Sequence, residues 1–230
     1  MQEAQLDIIF EDNHLIAINK PPGLLVQGDK TGDLPASEIV KNFLRKKYKK
    51  PGNVFCGVIH RLDRPVSGVL VLAKTGKALE RMNQKFKSRE IKKTYWAIIS
   101  EQPPEMEATL EHFLIKNQAK NKSKAFRSPV KNGLKAVLKY KMIGSLTNYH
   151  FLEVNPLTGR HHQIRAQLAA EGCPIKGDLK YGFKRSNSDG SIHLHARELS
   201  FIHPVKMQPI IIKASPPQDV LWLSVLEHFV

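Results

Sequence analysis

The stretch His60-Arg61-Leu62-Asp63-Arg64 sets one carboxylate between two guanidinium groups, just ahead of the apolar run Val69-Leu70-Val71-Leu72-Ala73. Ser, Thr or Asn could start such a strand at no cost. A charge beside a buried strand must instead be solvated or held by a partner. A lone carboxylate of this kind can serve as a covalent nucleophile. Ordinary glycoside hydrolysis would need a second carboxylate, and a Mg²⁺-dependent nuclease would need clustered acids, which this stretch does not supply.

Two further segments carry reactive or anion-binding groups. Tyr95 lies in Lys92-Lys93-Thr94-Tyr95-Trp96-Ala97-Ile98-Ile99, which alternates as a strand, and ordinary core packing is its bland explanation. Arg160 and Arg165 fall at the start of a helical pattern, where the helix dipole prefers acids, so an anion is expected to offset them. His161-His162 and His193-x-His195 lack the spacing of a metal site, and no metal is expected. Cys56 and Cys173 are far apart and read as free thiols.

The composition suits a polyanionic partner. Lys and Arg number 36 against 21 acids, a net charge of +15 that folding does not require. Apolar runs fall far short of the roughly 20 residues a membrane span needs. The acids at positions 3, 7, 11 and 12 do not suit a signal peptide, so a cytoplasmic location with no membrane partner is expected. A hydrophobic fraction of 41% over 230 residues can build a substantial core, and a single domain over 1–230 is the simplest organisation.

The elements that must position these groups can be read from periodicity. Two strands flank a turn at 11–14 and stop at Pro21-Pro22-Gly23. A helix over 36–49 carries a basic face that includes Lys46 and Lys47. The strand at 68–74 leads to a helix with Thr75 as its N-cap. Three strand-like runs follow between 108 and 155, separated by a basic loop at 116–127 containing Lys122 and Lys124 and by a turn at 144–148. A helix carrying Ile164, Leu168 and Ala169 inward, strands at 193–202 and 209–215, and a helix from Gln218 complete an α+β pattern. The basic face and loop could be solvated surface or phosphate grips.

The segment 60–74 resembles the signature of RluA-type pseudouridine synthases. Three further stretches match in order: Asn19-Lys20-Pro21-Pro22-Gly23-Leu24-Leu25-Val26, residues 92–99, and residues 156–182. The resemblance implies the pseudouridine synthase fold, a mixed, largely antiparallel sheet with flanking helices. It also implies isomerisation of specific uridines in structured RNA, rRNA or tRNA, without a cofactor. Asp63 would be the nucleophile, attacking C1′ of the sugar or C6 of the base. Arg165 would pair with it, and Tyr95 would stack on the target base and assist removal of the C5 proton. Arg61 would occupy the space vacated by the extruded nucleotide. Arg160, Lys74, Lys92, Lys93, Lys46, Lys47, Lys122 and Lys124 complete the expected RNA-binding set. His60 is expected to support the loop, and Gly177-Asp178 to form a turn rather than bind anything.

The chain departs from that pattern at Pro65-Val66, where relatives often have Thr, and at His161, where they usually have Thr. Pro65 should stiffen the loop. No S4-like domain is expected ahead of residue 8, and a monomer is the default. Two other readings stay open. An inactive RNA-binding or ribosome-assembly protein would keep the fold without activity, and an N-glycosidase would share the nucleophile but release the base.

Overall fold

The computed structural model describes residues 6–230; position 3 of the acidic N-terminus lies outside them. The chain forms β1 (Ile8–Glu11), β2 (Leu15–Lys20), α1 (Ala36–Lys47), β3 (Gly57–Val58), β4 (Ser67–Ala73), α2 (Gly76–Lys87) and β5 (Lys92–Ile99). It continues through β6 (Glu107–Asn117), β7 (Lys122–Phe126), β8 (Leu134–Leu146), β9 (Tyr149–Pro156), α3 (Gln163–Ala170) and a 3-10 turn at Leu179–Tyr181. The last elements are β10 (Leu194–Ile202), β11 (Pro209–Lys213) and α4 (Val220–Phe229), giving the α+β class expected. They group into two compact units. The second holds 93–195 and 217–230, and the first holds the described residues up to 92 with 196–216.

In the first unit the strand order is β1-β2-β4-β10, with β3 beside β4 and β11 beside β10. The β1–β2 turn exists because Asp12 Oδ1 accepts from the amides of His14 and Leu15, both at 2.8 Å. All of β4 is buried, which explains its unbroken apolar run. Ala78 and Met82 of α2 pack in one cluster with Val69, Val71 and Ala73. Thr75 caps that helix by accepting from the Ala78 amide at 3.2 Å. Gly68 has φ +114°, and a Cβ there would run into the main chain of Ala196, so the motif's glycine permits a close approach of β4 and β10.

The second unit orders its strands β5-β9-β8-β6-β7. Residues 108–155 contain four strands rather than three. The one missed is β7, inside the basic stretch, where small residues alternate with lysines and give no apolar signal. It pairs antiparallel with β6, from Phe113 opposite Phe126 to Asn117 opposite Lys122. An aromatic cluster of Trp96, Phe151 and Trp222 holds α4, whose first turn is capped by Asp219 accepting from Leu221 and Trp222 at 3.0 and 3.1 Å. A smaller cluster, Leu114, Ala136, Ala166 and Tyr181, packs α3 against β6 and β8. Six of the eight α3 residues are buried, so this helix is enclosed rather than amphipathic.

Candidate active site

In the first unit the His60–Val66 segment is pinned before β4 begins. His60 Nε2 accepts from the Val71 amide at 3.0 Å and its ring stacks on Phe86 with centroids 5.1 Å apart, a supporting role as expected. Leu62 is buried, so extended backbone sends its neighbours the other way: Arg61 is exposed and Asp63 half-buried. A turn closed by Val66 N to Asp63 O at 3.0 Å contains Pro65.

The Pro-Pro-Gly turn grips that segment directly. Gly23 N donates to Arg64 O at 2.8 Å, and Arg64 Nε returns a bond to Gly23 O at 3.0 Å. Lys20 is fully buried, with Nζ donating to the carbonyls of Pro21, Leu24 and Arg64 at 2.9, 3.0 and 3.2 Å. Burial lowers its pKa to about 7, and the charge of Asp63 works in the opposite sense. An ammonium has three donors, and here all three go to carbonyls. Lys20 therefore acts on Asp63 through its field. Sequence reasoning missed this residue; the signal was a lysine ending an otherwise buried strand, directly before a proline.

Three of the expected RNA-binding lysines of the first unit have structural contacts or lie on the surface. Lys74 is only 10% exposed and bonds Glu11 and the Asp12 carbonyl, both at 2.7 Å, so its ammonium is committed to folding. Lys47 also meets Glu11 at 2.7 Å, while Lys46 is exposed on the α1 surface. Burial opposes ionisation of Glu11, but hydrogen bonds from Lys47, Lys74 and Tyr48 outweigh it and hold its pKa near 2.

In the second unit, Tyr95 on β5 pairs in register with Val154 of β9. It is half-buried, whereas the next four residues are buried, so it stands at the edge of the core rather than filling it. Arg165, third residue of α3, is 5% exposed and bound at two points by Asp178, Nε to Oδ2 at 2.7 Å and Nη2 to Oδ1 at 2.9 Å. This fork is the anion that the arginines at the α3 start called for. Asp178 does sit in a turn, closed by its amide on Ile175 O at 3.0 Å, but the expectation that it binds nothing is corrected. The Arg165 guanidinium also lies 5.1 Å from the Tyr181 ring centroid.

The rest of the α3 start is built by Gln163. Its Oε1 accepts from Arg160 N at 3.0 Å and from Thr158 Oγ1 at 2.7 Å. Arg160 Nε donates to Lys135 O at 3.0 Å. Lys93 Nζ lies 3.4 Å from Thr158 O, beside the same turn, and Lys92 is exposed at the start of β5. Lys122 and Lys124 are exposed on β7, their ammonium groups 5.1 and 5.0 Å from the rings of Tyr181 and Phe126. Among the described residues no His, Cys, Asp and Glu side chains gather in threes as a metal site. Cys56 is a free thiol pushed up to about 12 by burial, which leaves it a poor nucleophile.

Comparison with known proteins places these motifs. Residues 14–170 match the family model described as RNA pseudouridylate synthase. The tRNA pseudouridine synthase C of Vibrio cholerae serotype O1 is 33% identical over 242 residues, covering 97% of this chain and 96% of that protein. The ribosomal large subunit pseudouridine synthase C of Buchnera aphidicola subsp. Baizongia pistaciae is 29% identical, with 97% and 70% covered. The solved structure of Human RNA Pseudouridylate Synthase Domain Containing 4 aligns with a TM-score of 0.78 at 25% identity, over 96% of this chain and 91% of that one. With a family model spanning more than half its length and relatives aligned almost end to end, the chain belongs to the RNA pseudouridylate synthase family, enzymes that isomerise uridine in RNA.

Proposed function

We propose that the two units work as one catalytic domain on structured RNA, with Asp63 as the nucleophile. Asp63 attacks the uridine at C1′ or C6, and the bond between C1′ and N1 breaks. The freed uracil turns and C5 bonds to C1′, the ester bond between Asp63 and the nucleotide breaks and returns the carboxylate, N1 gains a proton, and C5 loses one to a base for which Tyr95 is the assisting group. No atoms or electrons are gained overall, so the reaction calls for no redox or group-transfer cofactor. Arg165 balances the carboxylate, and Arg61 takes the space of the flipped nucleotide. Arg160, Lys46, Lys92, Lys93, Lys122 and Lys124 supply phosphate contacts. The observation that carries this reading is the half-buried Asp63 in a segment pinned by Lys20, Gly23 and Arg64.

Transfer RNA is the first substrate to test, because the Vibrio cholerae relative is named for it, and ribosomal RNA the second. We place the enzyme in the cytoplasm as a monomer. No helix among the described residues is long and apolar enough to cross a membrane. Purified protein is incubated with tRNA and rRNA carrying C5-tritiated uridine, and the products are weighed by mass spectrometry. The reading expects tritium release from the labelled RNA and unchanged mass for the same RNA prepared without label. Loss of a base would identify an N-glycosidase, and binding without tritium release would identify an inactive RNA-binding protein.

A further inference from the structure

The β6–β7 hairpin is fastened to the start of α3 by side chains with no part in the chemistry above. The Ser123 amide donates to the Tyr181 hydroxyl at 2.8 Å. The Ser123 hydroxyl donates to the His161 carbonyl at 2.8 Å and lies 2.9 Å from the same residue's Nδ1. His161 Nε2 reaches Asn121 Oδ1 at 3.0 Å, in the hairpin turn, where Asn121 has φ +42°. The His161 ring stacks on His162 with centroids 3.8 Å apart, and His162 Nδ1 lies 3.0 Å from the Tyr181 hydroxyl, closing the circuit. Lys180 adds a bond to the Asn121 carbonyl at 3.1 Å. One ring, Tyr181, thus lies beside both Lys122 of the hairpin and Arg165 of α3, each 5.1 Å from its centroid.

Lysines 116, 120, 122 and 124 repel one another along this limb, so it needs an anchor to hold one shape. We propose that His161, acting with Ser123, is a positioning residue for RNA binding. The two hold the hairpin lysines at a set place relative to Arg165, so that the limb meets the phosphate backbone already ordered. Binding then avoids the entropy of ordering it. The departure from the family pattern at position 161 is, on this account, a change in how the hairpin is held. The proposal rests on the reading that the hairpin grips RNA.

The test is steady-state tritium release from C5-tritiated tRNA isolated from cells lacking the gene. Ser123→Ala and His161→Ala are each expected to raise KM about five- to tenfold while kcat stays within about twofold. His161→Asn keeps a polar group near the Nδ1 position and should recover most of the loss. A Lys120→Ala, Lys122→Ala, Lys124→Ala triple variant should raise KM at least as far, and adding His161→Ala to it should change nothing more. If the triple variant raises KM but neither single variant does, the clamp is wrong and the hairpin reading survives. If the triple variant leaves KM unchanged, the hairpin reading fails and takes the clamp with it. A fall in kcat at constant KM also overturns the proposal. Should His161→Ala not fold, Ser123→Ala carries the test, since it deletes a single hydroxyl.

Discussion

In the second unit the guanidinium of Arg165, 5% exposed, is gripped at two points by the Asp178 carboxylate, whereas in the first unit the half-buried Asp63 neighbours an ammonium whose hydrogen bonds go to neutral carbonyls. A fork of charge-assisted bonds fixes a side chain in place. A caged ammonium offers an acid a favourable field without claiming one of its lone pairs. The contrast suits the proposed roles: a cation that must stay still, and a carboxylate that must attack.

Removing the anion from the second unit should have the largest effect on stability. Asp178→Ala removes the two-point carboxylate partner of a buried guanidinium and should cost about 3–5 kcal/mol, read as a lower denaturation midpoint. Asp178→Asn keeps an acceptor and should cost less. Equal, negligible losses from both would erase the contrast.

Glu11 sharpens it from the other side, because the first unit does use direct ion pairs away from Asp63. Its carboxyl pKa is held near 2, well below the ordinary 4.5, although burial alone would raise it. Its contribution is therefore complete above about pH 4.5 and lost as pH falls through 2, an effect of about 3 kcal/mol. Acid titration of stability should show this loss in the wild type and not in Glu11→Gln.

Lys20→Met should follow, costing about 1–3 kcal/mol through three carbonyls left without their donor. Burial, offset in part by Asp63, holds Lys20 near 7 against an ordinary 10.5. Between those values the unfolded chain carries a proton that the folded one lacks, so wild-type stability should gain from this group as pH rises from about 7 to 10.5. The Met variant should lose that increment. The smallest change belongs to the surface: Lys122→Ala should reduce the salt slope of RNA binding by about 1.

The elements were legible where periodicity or capping chemistry is local. Thr75 announced α2, and the apolar run before Lys74 announced β4. β7 was not, because Lys122, Ser123, Lys124 and Ala125 present no apolar alternation and become a strand only through pairing with β6. At the site, Asp63, Tyr95 and Arg165 carried recognisable motifs. Their partners within each unit did not: Lys20 ends β2 and Asp178 sits in a turn, places that strand periodicity and turn chemistry alone explain. The arginines at the start of α3 did signal a missing anion, but the anion lies 13 residues further along the chain, a distance that only tertiary folding closes.

The most direct measurement is single-turnover tritium release from C5-tritiated RNA by Asp63→Ala, with circular dichroism confirming that the variant is folded. The account predicts a loss of at least about 10³-fold relative to wild type, with RNA still bound. Release at an undiminished rate would contradict it and move the nucleophile elsewhere.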